Sequence, residues 1–130
     1  MSFLSNLFRF TFSKPKVLNG TDRDYIKSRW NHIDELVRLG GSSQLKQAVI
    51  ESDKLLEFIL RKLINDQQSL GDNLKQAKDL FPSYSTYQQA WEAHKVRNAL
   101  VHEAGYELPH YLAKQTIENF KMVFSALGAI

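Results

Sequence analysis

Hydrophobic positions recur along this chain at intervals of three and four residues, the spacing that lines one face of an α-helix. Tyr25, Trp30, Ile33 and Val37 form the first such series. Thr21 with Asp24 stands before it as a cap of box type, and Gly40-Gly41 stops it. Ser42 or Ser43 caps a second, longer helix, in which Leu45, Ala48, Val49, Ser52, Leu55, Leu56, Ile59 and Leu63 keep the rule and Asn65-Asp66 is the exit. A shorter helix is expected from about Asp72 to Leu80, broken by Pro82 and Ser83. Ser85 with Gln88 reads as a capping box for a fourth helix that reaches Glu103. After a loop bracketed by Gly105 and Pro109, Leu112, Thr116, Ile117, Phe120, Phe124 and Leu127 mark a fifth helix ending at Gly128. Alternation with a period of two is nowhere sustained, and Phe8 to Phe12 comes nearest to it. The expected fold is all-α: an up-and-down bundle of about five helices around Trp30, Leu56, Ile59, Trp91, Leu100, Ile117 and Phe124.

A length of 130 residues suits one domain, and 6 Gly with 3 Pro speak against a turn-rich sheet protein. With no cysteine, disulfide scaffolds, zinc ribbons and thiol nucleophiles are excluded, and a cytoplasmic setting is the natural expectation. Residues 1–20 differ from the bundle domain, 21–130. They hold four of the eight phenylalanines, three basic groups and no acid. Such an arm is amphipathic and cationic. Arg9 interrupts its apolar run, which is too short for a membrane span and lacks a small-residue cleavage site. Two readings of it stand open: packing on its own domain or on a partner subunit, and, for residues 1–13, lying on an anionic membrane surface. The net charge of +3 is also local. Residues 1–30 carry six basic groups against two acids, while the remaining residues carry 11 against 12. The body is thus nearly neutral, without the broad basic face of a general nucleic-acid binder.

Searches for familiar chemistry mostly find nothing. There is no dinucleotide or phosphate-loop glycine pattern, no nucleophile elbow and no H-E-x-x-H, so neither a cofactor nor a metal is expected. The acidic pairs Asp34-Glu35 and Glu51/Asp53 read as solvated charge on polar helix faces. His32 and His110 read as surface or cap residues.

The exception lies near the end of the fourth helix, in Glu92-Ala93-His94-Lys95-Val96-Arg97-Asn98-Ala99-Leu100-Val101-His102-Glu103. Arg97, Asn98 and His102 make R-N-x-x-x-H. This resembles the signature of the HEPN superfamily, small helical bundles in which an Arg, usually followed by a polar residue, precedes a His by four to six positions. The Asn beside Arg97 makes the match more specific than an Arg-to-His spacing alone. Trp91 to Leu127 is also similar to small uncharacterised bacterial proteins with W-E-A-H-K-V-R-N-x-x-x-H-E. The resemblance implies a HEPN-like fold, a homodimer and, as in many members, metal-independent cleavage of RNA; toxin-like members also have an antitoxin partner. In members silenced by nucleotide transfer a Tyr stands two residues after the His. Here Ala104 occupies that position and Tyr106 comes later, which puts that control in doubt.

At about 100° per residue, Arg97 and His102 lie about 140° apart around one helix, whereas Asn98 and His102 lie about 40° apart. One helix does not aim Arg97 and His102 at the same atom; two copies related by a twofold axis bring both kinds of group to one cleft. His94, Asn98 and His102 would then line the stripe facing that axis. In a ribonuclease, His102 would exchange protons with the ribose 2′-hydroxyl or the leaving 5′-oxygen, and Arg97 would hold the phosphate. Asn98 would orient one of them, with His94 or Glu103 assisting. The alternative is a non-catalytic dimerising, nucleotide-binding or protein-interaction module, in which Arg97, Asn98 and His102 form a polar network that sets dimer register.

Overall fold

The computed structural model describes residues 17–64 and 68–130. Five α-helices follow one another: α1 (Gly20–Leu39), α2 (Ser42–Ile64), α3 (Leu70–Gln76), α4 (Tyr84–His102) and α5 (His110–Ala126). A 3-10 turn at Lys78–Leu80 lies between α3 and α4, and among the described residues there is no strand. The chain is therefore the all-α bundle that its spacing predicts. The arm up to residue 16, with its strand candidate Phe8 to Phe12 and its membrane candidate 1–13, lies outside the described residues, as does the Asn65-Asp66 exit. No described helix is long and apolar enough to cross a membrane.

Where α1 and α4 begin is decided by a buried residue just upstream. Asn19, not Thr21, caps α1: its side-chain oxygen accepts from the Asp22 N–H at 2.8 Å, and the Asp22 carboxylate accepts from the Asn19 N–H at 3.2 Å. Asn19-x-x-Asp22 and Thr21-x-x-Asp24 both suit a capping box, but Leu18 is buried and brings the chain into the bundle immediately before Asn19. Likewise Ser83, not Ser85, caps α4, its hydroxyl accepting from the Thr86 N–H at 3.1 Å. Phe81, buried two residues earlier, meets Tyr87 edge-on at 5.4 Å and pins the chain there. The expected helix from Asp72 to Leu80 starts sooner, at Leu70 behind a Ser69 cap, and divides at Ala77. There the Leu80 N–H reaches back only three residues, to the Ala77 carbonyl at 2.8 Å, which tightens the chain into the 3-10 turn.

Gly40 ends α1 in the left-handed region, φ +72°, with its N–H on the Leu36 carbonyl at 3.1 Å. A side chain would be strained there. The two-residue link Gly40-Gly41 turns α2 back along α1. Helix α2 is the centre of the bundle and packs against each of the other four. Ile26 and Ile33 of α1, Leu45, Leu56, Ile59 and Leu60 of α2, and Phe120 and Phe124 of α5 are fully buried. Each such side chain stabilises the fold by about 1.5–3 kcal/mol.

Leu56, Ile59, Ile117 and Phe124 take the core positions expected of them, but Trp30, Trp91 and Leu100 are only partly buried against that core. Trp30 meets Phe124 edge-on at 5.7 Å. Helix α4 buries only Ala90, Ala93 and His94. Small alanines bring its first half close to its neighbours and leave its larger side chains on the rim. Beyond His94 no residue of α4 is buried, and Val101 is 42% exposed.

Candidate functional site

A buried carboxylate organises the R-N-x-x-x-H segment. Asp53 of α2 is 2% exposed. One of its oxygens meets His94 Nδ1 at 3.0 Å, and the other lies 3.4 Å from Arg97 Nε. The second contact is an ion pair without hydrogen-bond alignment, since Arg97 Nε has no hydrogen-bond partner. From Arg97, Nη1 donates to Asn98 Oδ1 at 3.0 Å, and Asn98 Nδ2 stands 3.3 Å from His94 Nε2. Asp53, His94, Asn98 and Arg97 thus close a ring of contacts across the α2–α4 interface.

Donor and acceptor chemistry orients this ring. A guanidinium only donates, so the amide oxygen of Asn98 faces Arg97 and its NH2 faces His94. His94 Nε2 is then the acceptor, and Nδ1 carries the proton that it donates to Asp53. One full negative charge and one full positive charge, on Asp53 and Arg97, balance. Helical spacing explains the gathering: His94, Arg97 and Asn98 stand at i, i+3 and i+4 and share one side of α4.

The structure separates the remaining candidates from this ring. His102 is the last residue of α4; it is exposed, and its imidazole makes no hydrogen bond or ion pair with a described residue. Glu103 is exposed and caps the helix through its backbone, its N–H on the Ala99 carbonyl at 3.0 Å. His94 does not join His102 on an outward stripe: it turns inward, because the Asp53 carboxylate beneath it needs a donor. His32 and His110 are exposed. Among the described residues no three His, Asp or Glu side chains come together as a metal-binding group.

Asp53 is the residue that sequence reasoning placed wrongly, as solvated charge. Its neighbour Glu51 is partly buried as well, its side chain 14% exposed and paired with Arg29 at 2.7 Å and with Gln47 at 2.7 Å. Burial pushes the Glu51 carboxyl up, but the hydrogen bond and charge of Arg29, with Gln47 and Lys54, outweigh it and hold the group below the usual glutamate range. The signal that separates the two was present. Position 53 falls four after Val49 and three before Leu56, on the apolar stripe of α2, where a carboxylate requires a buried partner.

Compared with protein-family models, curated proteins and solved structures, the chain matches none.

Proposed function

We propose that this chain is a HEPN-like, metal-independent endoribonuclease that works as a homodimer in the cytoplasm, with Arg97, Asn98 and His102 as its reacting groups. The observation that carries this reading is the setting of Arg97. Asp53 holds its guanidinium at Nε and Asn98 takes Nη1, yet the side chain keeps 27% of its exposure. A guanidinium restrained on one edge and open on another is prepared for a phosphate, since little rotamer freedom is lost on binding. His102, exposed and unengaged, has its imidazole available for proton transfer.

In this reaction the 2′-oxygen attacks phosphorus as it gives up its proton, the bond to the 5′-oxygen breaks, and that oxygen takes up a proton. The products are a 2′,3′-cyclic phosphate and a 5′-hydroxyl. Arg97 offsets the charge growing on the phosphoryl oxygens. Two copies of His102, one from each protomer, supply the base and the acid. Pairing through the exposed end of α4, at Val101 and His102, would bring them together. His94 acts through Asn98 and Asp53 rather than on substrate, and Glu103, exposed just past the end of α4, is left an assisting role. An antitoxin-like protein partner and a peripheral membrane role for residues 1–13 belong to the same proposal as subsidiary readings.

One observation favours the alternative, a non-catalytic dimerising, nucleotide-binding or protein-interaction module: Asp53 already neutralises Arg97. One experiment separates the two. Wild type, Arg97→Ala and His102→Ala are incubated with total bacterial RNA in excess EDTA and the new ends are mapped. Cleavage by wild type alone, leaving 5′-hydroxyl ends, supports the enzyme. No cleavage by a protein that is dimeric in solution overturns it in favour of the module.

A further inference from the structure

We infer that Tyr84, Tyr87 and Trp91 form a track on which unpaired bases of RNA stack as the strand runs toward Arg97, an inference that takes the nature of the ligand from the ribonuclease reading. The three residues stand at i, i+3 and i+7 of α4, and His94 and Asn98 continue the same side of the helix. Their rings are neighbours in series, not parallel to one another: Tyr84 is tilted 42° to Tyr87 at 6.2 Å, Tyr87 meets Trp91 edge-on at 6.4 Å, and Trp91 meets the His94 ring edge-on at 6.1 Å. Aromatic residues at helical spacing ordinarily vanish into a core. Here Tyr87 and Trp91 pack against the core on one side and stay partly exposed on the other, and Tyr84 is 63% exposed.

The row is also held in place. Phe81, itself buried, meets Tyr87 at 5.4 Å and ties the middle of the row to the bundle. Gln88 Nε2 donates to the Tyr84 hydroxyl and restrains the outermost ring. Lys78 Nζ lies over one face of that ring, 5.7 Å from its centre, so a base would stack on the opposite face with a cation close by. From Tyr84 to Arg97 the helix rises about 20 Å, the reach of a few nucleotides. Ring faces are of use only to bases that are not already paired and stacked, so the track selects single strands over duplex. It also answers the near-neutral charge of the bundle, because stacking supplies affinity that phosphate contacts here do not.

The test measures fluorescence anisotropy with a labelled, 2′-O-methylated single-stranded oligonucleotide, which lacks the attacking hydroxyl, and with its duplex. Wild type should bind the single strand and bind the duplex more weakly. Tyr84→Ser should weaken single-strand binding about tenfold, the loss expected for one stacked base, while Tyr84→Phe, which keeps the ring and loses only the Gln88 contact, should stay closer to wild type than to Tyr84→Ser. Circular dichroism checks that both variants remain helical. Wild-type affinity in Tyr84→Ser, equal binding of duplex, or no binding by wild type overturns the track. Cleavage of unmodified RNA is scored separately. Binding that depends on Tyr84 without any cleavage leaves the track standing and overturns the ribonuclease, and cleavage with no dependence on Tyr84 does the reverse.

Discussion

Asp53 and His94, 41 residues apart in sequence, meet at 3.0 Å in the interior between α2 and α4. This contact joins the central helix to the helix that bears the R-N-x-x-x-H segment. Through the other carboxylate oxygen it also reaches Arg97, so a single buried acid sets both the depth and the rotation of that segment.

Removing that acid should therefore be costly. Asp53→Ala leaves His94 Nδ1 without a partner in the interior and Arg97 with an uncompensated charge, and the loss of stability should be about 3–5 kcal/mol. Asp53→Asn keeps the volume and should cost less. Urea unfolding of the two variants beside wild type checks the order, and an unchanged midpoint in Asp53→Ala would refute the role given to this group.

His102→Ala should behave in the opposite way. The imidazole is exposed and unengaged, so stability should stay within about 0.5 kcal/mol of wild type while RNA cleavage is lost. Thermal unfolding and the cleavage assay together read both halves of this expectation.

Arg97→Lys should not rescue Arg97→Ala. An ammonium has no planar fork with which to meet Asp53 on one edge and Asn98 on another, so cleavage should remain low although the charge is kept. Turnover of a labelled RNA by the two variants decides this, and near-normal turnover in Arg97→Lys would mean that only the charge matters.

At the start of α1, Asn19→Ala should cost about 1 kcal/mol through loss of the cap. Thr21→Ala, at an exposed position inside the helix, should change stability by less than about 0.5 kcal/mol. Equal effects in denaturant unfolding would contradict the Asn19–Asp22 box.

Acid should weaken the Arg29–Glu51 pair in a defined sense. Because the Glu51 carboxyl is held below its ordinary value of 4.5, its contribution is whole above that value and is lost as pH falls through the lower folded value. The urea midpoint of wild type should fall more between about pH 6 and about pH 3 than that of Glu51→Gln. Parallel falls would show that this pair carries no such linkage.

The sequence by itself determined the helices and their order, α1, α2 and α5 through three-and-four spacing and α3 and α4 through caps and breakers, because these are local demands written into successive residues. The R-N-x-x-x-H motif marked Arg97 and Asn98, which are neighbours on α4 and need no distant residue to meet. The exact caps were decided by tertiary structure: Asn19 and Thr21 are chemically equivalent choices until the burial of Leu18 selects between them. Tertiary structure alone turned His94 inward, away from His102, and kept Trp91 on the rim, since those outcomes depend on which helix lies opposite. Asp53 belongs to both levels. Its place on the apolar stripe of α2 is legible in the sequence, but a buried carboxylate takes its meaning from its partners, and His94 and Arg97 reach it only when α4 folds back across α2.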